Sequence, residues 1–158
     1  MKQRVWKPWA LGILLTEAVG ALSGLLSREG MALYAAQIQK PPLSPPGWVF
    51  GVVWPILYAL MGISALRIWR LPDSPERRRG LNLFIAQLIV NFFWSPIFFN
   101  TGAYGLALLW LLGLWVLVLA MILSFRRTDK LAAVLQIPYL LWLTFAAYLN
   151  LGVYYLNQ

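Results

Sequence analysis

The chain has 158 residues, 61% hydrophobic and only 11% charged, with a formal net charge of +8. A soluble domain carries about a quarter charged residues because its surface faces water, so the deficit points to a bilayer as the solvent. Cysteine and histidine are both absent. Disulfides, thiolate catalysis and thiolate metal sites are thereby excluded, along with the commonest metal and haem-iron ligand and the usual general base; no metal or cofactor is expected.

The N-terminus, "MKQRVWKPWALGILLTEAVGAL", has a basic start and an apolar stretch that is too long for a signal-peptide core and is interrupted by Glu17. It reads as a retained first span over residues 9–26. Glu17 is the only acidic residue well inside a span, which makes it a functional candidate by default. It either couples protons to transport, sits near the headgroups, or hydrogen-bonds in neutral form to a neighbouring helix. Gly20 and Gly24 form a Gly-x-x-x-Gly motif, suited to close helix contact within the bundle or between two copies.

The first connection, roughly Ser27 to Pro46, is the long one, and "EGMALYAAQIQ" within it is expected to form a short helix lying as a lid over one mouth of a bundle. Four prolines follow between Pro41 and Pro46. Pro41 and Pro42 hold the chain extended, and Ser44 is read as an N-cap with Pro45 and Pro46 in the first helical turn.

The second span, 47–69, carries Trp54 and Tyr58 one turn apart on one face. Beside them Pro55 removes a hydrogen bond to the Gly51 carbonyl and kinks the helix. A polar turn, "RLPDSPERRRG", leads to the third span, 80–99, where Gln87, Asn91, Trp94 and Phe98 form one stripe of amides and aromatics. After a tight "NTG" comes the fourth span, 103–125, whose Trp110 and Trp115 are read as facing lipid. "RRTDK" then precedes the fifth span, 131–156, with Trp142, Phe145, Ala146 and Asn150 on a common face. Short connections impose antiparallel neighbours. The expected fold is an all-α, integral membrane bundle of five transmembrane helices in a single domain over 1–158, with a long first loop as its lid.

Pro96 and Pro138 are expected to kink the third and fifth spans as Pro55 kinks the second. Freed carbonyls in lipid must be satisfied or face a cavity, so three such prolines mean an internal space or three tolerated kinks. Gln87, Asn91 and Asn150 are costly in hydrocarbon and are expected to face inward, either toward a ligand or as hydrogen-bonding glue between helices. Trp6, Trp9 and Trp69 lie near span ends and read as interfacial anchors. Trp54, Trp94 and Trp142 are deeper, and together suit a flat aromatic ligand, each stack contributing about 1 kcal/mol beyond area burial.

Basic residues fix the orientation. Eleven of the thirteen Lys and Arg residues fall at one set of span ends, and only Arg28 and Lys40 at the other. The positive-inside rule puts the N-terminus in the cytoplasm and the C-terminus outside. It also accounts for the basic balance without a nucleic-acid partner.

Three segments in order, "KPPLSPPGWVFGVVWPILYALMG", "AQLIVNFFWSPIFF" and "IPYLLWLTFAAYLN", make the chain resemble the tryptophan-rich sensory protein/translocator protein family, which includes the mitochondrial peripheral benzodiazepine receptor and bacterial homologues. The resemblance covers nearly the whole chain. It implies a homodimeric five-helix bundle in a bacterial cell membrane, with a pocket under the first loop for porphyrins such as protoporphyrin IX, other hydrophobic aromatic ligands and sterol-like lipids. Matching motif positions carry over as ligand-binding residues Tyr34, Trp54, Tyr58, Asn91, Trp94, Trp142 and Ala146, beside which Phe145 shares the fifth-span face. The implied roles are tetrapyrrole sensing, transport or disposal. Some bacterial members link tryptophans at the positions of Trp54 and Trp142 to light-dependent porphyrin degradation, which would make those two residues catalytic. The exporter built on Glu17 remains a further alternative. The tail "YLNLGVYYLNQ" lacks the basic residue that completes the family's sterol pattern.

Overall fold

The computed structural model describes residues 5–158; Lys2 and Arg4 of the charge count lie outside the described residues. The elements are α1 (Lys7–Leu26), α2 (Arg28–Gln37), α3 (Gly47–Trp69), α4 (Pro75–Ser95) running into a π-helical turn (Pro96–Asn100), α5 (Tyr104–Arg126), α6 (Lys130–Leu135) and α7 (Ile137–Leu156). Among the described residues every regular element is helical. Five stretches are long and apolar enough to cross a membrane: α1, α3, α4 with its π-turn, α5, and α6 together with α7.

Around the bundle the order is α1, α3, α7, α5, α4 and back to α1, with α3 and α4 also meeting across the interior. Glycine sets the closest approach. A Cβ on Gly62 of α3 would lie 2.7 Å from the Gly12 carbonyl oxygen of α1, so only glycine lets these two backbones touch. Thr16 Oγ1 then donates across the same seam to the Tyr58 carbonyl at 2.7 Å. The Gly20–Gly24 motif divides: Gly20 lies against the Tyr58 ring, whereas the Gly24 Cβ direction is open.

The prolines do three different things. Pro55 stays inside α3. Pro96 would orphan the Phe92 carbonyl one turn back, and Ser23 Oγ of α1 donates to that oxygen at 2.7 Å. The chain beyond Pro96 widens into the π-turn, where the Thr101 amide donates to the Pro96 carbonyl at 3.3 Å. Pro138 does not bend a continuous helix; the fifth span is interrupted just before it. The helix ends at Leu135, Gln136 intervenes, and Pro138 falls in the first turn of α7, where its missing N–H has no helical partner to lose.

Ser44 likewise departs from expectation. The residue before α3 is Pro46, in an extended conformation with ψ 151°. Ser44 instead closes a tight turn, its amide and Oγ both donating to the Pro41 carbonyl at 3.3 and 2.7 Å. Pro42 at the second position and Leu43 at φ +68° in the third give the pattern of a type II turn. Two consecutive prolines after Ser44 hold the chain extended, so the serine cannot reach the helix amides.

The lid is α2 with the strap that follows. Gly30 sits against the Phe99 carbonyl, with no room for a Cβ, and Tyr34 meets Phe98 and Phe99 edge-on at 5.5 and 5.3 Å. Burial, and secondarily the Tyr104 phenol, push the Tyr34 hydroxyl up, which keeps it a neutral phenol. The strap is held by α7: Pro41 packs on Gly152, Tyr148 donates to the Pro42 carbonyl at 2.7 Å, and the Asn157 side chain pairs with both backbone groups of Gln39.

At the opposite, cation-rich end, Asp129 joins α3 to α6. It caps α6 by accepting from the Leu131 and Ala132 amides, and takes a two-pronged contact from Arg67, with Nε to Oδ2 at 2.7 Å and Nη2 to Oδ1 at 3.2 Å. Burial alone would raise this carboxyl, but the Arg67 hydrogen bond, the two amides and the guanidinium charge together hold it below its ordinary value. A lowered carboxyl contributes stability above its unfolded value, near pH 4, and loses it as pH falls through the folded value. We expect Asp129→Asn to melt below the wild type at pH 7. In detergent melts from pH 7 to 3, that gap stays constant down to about pH 5 and narrows below pH 4.

Candidate functional site

The α4 stripe forms as the spacing dictates. Gln87, Asn91 and Phe98 are buried, and Trp94 is half-buried beside them. The two amides sit in a chain of hydrogen bonds that crosses the bundle. Tyr58 of α3 donates to Asn91 Oδ1 at 2.6 Å, and Asn91 Nδ2 donates to the Tyr139 hydroxyl of α7 at 2.6 Å. Tyr139 in turn donates to Gln87 Oε1 at 2.9 Å. A second link lies toward the lid, where Trp94 Nε1 donates to Asn150 Oδ1 at 3.3 Å and Asn150 Nδ2 to the Tyr104 carbonyl at 2.9 Å. The three amides thus face inward and join helices by hydrogen bonds.

Above the Tyr58–Asn91–Tyr139 floor is an internal cavity lined by Trp54, Asn91, Trp94, Ser95, Leu111, Leu114, Leu143 and Ala146. Its internal volume is about 20 Å³, room for little more than one water. Trp94 stacks on Phe98 at 4.9 Å, and Phe98 is the ring under Tyr34, so the indole belongs to both the cavity wall and the lid cluster.

Not every sequence-derived residue lines that cavity. Trp54, Asn91, Trp94 and Ala146 do, and Tyr58 supports Asn91 from below. Tyr34 packs in the lid cluster. Trp142 and Phe145 line a separate groove between α3 and α7, together with Val53, Ile56, Leu57, Pro138 and Leu141. Trp54 and Trp142 meet edge-to-face, with centroids 6.5 Å apart, at the boundary between the two spaces. The inward face of α7 is Tyr139, Leu143, Ala146 and Asn150, and Trp142 and Phe145 stand on its shoulder.

Tyr139, the hub of the hydrogen-bond chain, was not among the sequence candidates. The signal was there: it lies one turn before Leu143 and two before Ala146, on their face. Ser95, Leu111 and Leu114 carry no pattern that would single them out. Trp110 and Trp115 do not simply face lipid, since their indoles donate to the Val90 carbonyl at 2.7 Å and to Thr144 Oγ1 at 2.9 Å. Glu17 lines neither cavity nor groove and makes no ion pair among the described residues.

The TspO/MBR family model matches residues 12–156. The chain belongs to the TspO/MBR family. It is 34% identical over 152 residues to the tryptophan-rich protein TspO of Chlorobaculum tepidum, covering 94% of each chain. It is 36% identical to the translocator protein of Bos taurus, covering 96% of this chain and 92% of the relative. With the tryptophan-rich sensory protein of Cereibacter sphaeroides it shares 35% identity over 94% of this chain and 92% of the relative. Family membership and five candidate spans make this a multi-pass membrane protein of the TspO/translocator type.

Two buried polar side chains outside the site lack a hydrogen-bond partner among the described residues, Ser27 and Gln136. Gln136, between α6 and α7, is fully buried, and neither its Oε1 nor its Nε2 has a hydrogen-bond partner among the described residues. An unpaired buried polar group costs about 1–3 kcal/mol, and methionine has nearly the same shape. Gln136→Met is expected to raise the melting midpoint in detergent by a few degrees. A lowered midpoint would mean that the amide is engaged.

Proposed function

We propose that the chain binds porphyrins, protoporphyrin IX being the test ligand, and related flat hydrophobic molecules in tetrapyrrole sensing, transport or disposal. The observation that carries this reading is the composition of the cavity wall: two indoles, Trp54 and Trp94, above a polar floor with Asn91 at its centre. Indoles supply broad apolar faces for a conjugated ring. The Asn91 amide has a second N–H beyond the one given to Tyr139, which suits a pyrrole nitrogen or a carboxylate edge. At about 20 Å³ the cavity is too small for such a ligand as it stands, since small-molecule pockets run from about 300 to 1,000 Å³. Binding therefore includes an opening step in which an indole or the lid moves. A homodimer with its N-terminus in the cytoplasm of a bacterial cell belongs to the same reading, with the basic partition supporting the orientation.

Titration of protoporphyrin IX into the reconstituted protein, read by tryptophan quenching, tests it. Loss of one stack of about 1 kcal/mol is worth about fivefold in Kd. Trp54→Leu and Trp94→Leu are each expected to weaken binding by about that factor, while the exposed Trp69→Leu leaves it unchanged. Identical curves for all three variants would remove the site from this cavity.

A second reading is light-dependent porphyrin degradation, and the ring contacts favour it. Trp54 lies 5.6 Å from Tyr58, 6.4 Å from Tyr139 and 6.5 Å from Trp142, centroid to centroid. Such a run of oxidisable rings would supply electrons to an excited porphyrin beside Trp54. Under illumination, porphyrin absorbance is expected to decay faster in the complex than free in detergent, and Trp54→Leu and Trp142→Leu to slow it; equal decay rates would dismiss the reading.

A further inference from the structure

The groove between α3 and α7 differs from every other seam in the bundle. The remaining neighbours around the ring approach backbone to backbone, whereas α3 and α7 barely do. The seam is closed at one end by α6, through Ser64 Oγ to the Ala132 carbonyl at 2.7 Å and through Arg67 to Asp129. At the other end the proline strap closes it, through Tyr148 and Gly152. Between these closures rings meet across the seam: Phe50 to Trp142 at 5.7 Å, Trp54 to Trp142 at 6.5 Å and Trp54 to Tyr139 at 6.4 Å. The hydrogen-bonded link from Tyr58 to Tyr139 runs indirectly, through Asn91 of α4.

That window opens on a groove of about 440 Å³, against about 20 Å³ for the cavity behind it. Every residue lining the groove is apolar. Ile56 and Leu141 on its rims are more than half exposed, on the outer surface of candidate spans. A headgroup or a hydrated ligand finds no charged partner in this lining, while a flat apolar molecule already dissolved in hydrocarbon finds the faces of Trp142 and Phe145. Trp54 belongs to the cavity wall and Trp142 to the groove wall, so the pair in edge contact is the partition between the two spaces.

We infer that this groove is a lateral port: a flat aromatic ligand travelling in the bilayer docks between α3 and α7, and rotation of Trp142 away from Trp54 admits it to the cavity. The port rests on the binding reading above and adds the route. Edge-to-face contact makes a suitable gate, since it adds little beyond burial and its opening breaks no hydrogen bond of the floor. The lid stays shut throughout, because exchange bypasses it.

The test is kinetic. Protoporphyrin IX preloaded in phosphatidylcholine vesicles is mixed with proteoliposomes, and association and dissociation are followed by porphyrin fluorescence. Ile56→Trp and Leu141→Trp place bulk in the groove from either rim, at exposed positions that tolerate it. Each is expected to slow association and dissociation together, by about tenfold, with Kd held within about twofold, as for a barrier raised without change in the end states. In a second arm Gln39→Cys/Asn157→Cys, in an otherwise cysteine-free chain, is joined by a short bismaleimide to fix the strap to α7. The port requires exchange to continue at the wild-type rate. Unchanged rates in both groove variants would overturn the port and leave the groove to an acyl chain or a second copy of the chain. Exchange abolished by the strap cross-link would overturn it in favour of entry under the lid. Absence of saturable binding by the wild type would instead bring down the binding reading, and the port with it.

Discussion

The structure depends on one buried chain of hydrogen bonds: Tyr58 to Asn91, Asn91 to Tyr139, Tyr139 to Gln87. In hydrocarbon, apolar side chains gain little by choosing a helix over lipid, so helix association needs close packing and polar pairing. This chain ties α3, α4 and α7 together at one depth and fixes which face of each points inward. Each bond contributes modestly, about 0.6 kcal/mol on average between membrane helices. The stronger constraint is the cost of leaving any member unpaired, which disfavours every rotation that would turn one of these helices away.

Around that chain several further contacts use backbone carbonyls as acceptors. Thr16 reaches the Tyr58 carbonyl, Ser23 the carbonyl vacated by Pro96, Ser64 that of Ala132, and Trp110 that of Val90. Small hydroxyls and indoles thereby join neighbouring helices without a charge in the membrane. Among the described residues the one ion pair between separate helices, Arg67 with Asp129 at the start of α6, lies at the cation-rich end. The seam that lacks such ties is α3/α7, and there aromatic rings take their place.

The five helices were legible in the sequence because apolar length alone defines a span and short polar turns separate them. The α4 stripe was legible too, since Gln87, Asn91, Trp94 and Phe98 mark one face at helical spacing with residues that stand out from a leucine-rich background. On α7 the same logic found part of the face: Ala146 and Asn150 point inward, but the large indole of Trp142 drew attention to a shoulder, while Tyr139, next to a proline read as a kink, went unmarked. The proline strap misled for a related reason. Ser44 before two prolines looks like a cap, but the choice between capping a helix and closing a turn depends on the ψ of Pro46, which only the docking of the strap on α7 decides. Nothing in a single sequence says that α3 and α7 are neighbours whose backbones stay apart, so the groove could not be read at all.

Trp94 connects what would otherwise be two separate structures. Its indole stands in the cavity wall, stacks on Phe98 beneath the lid and donates to Asn150, whose own amide holds the Tyr104 carbonyl at the start of α5. The lid and the cavity accordingly share a single movable part. A molecule that shifted this ring from inside would alter the surface on which Tyr34 rests, so that events in the cavity are coupled to the shape of the lid.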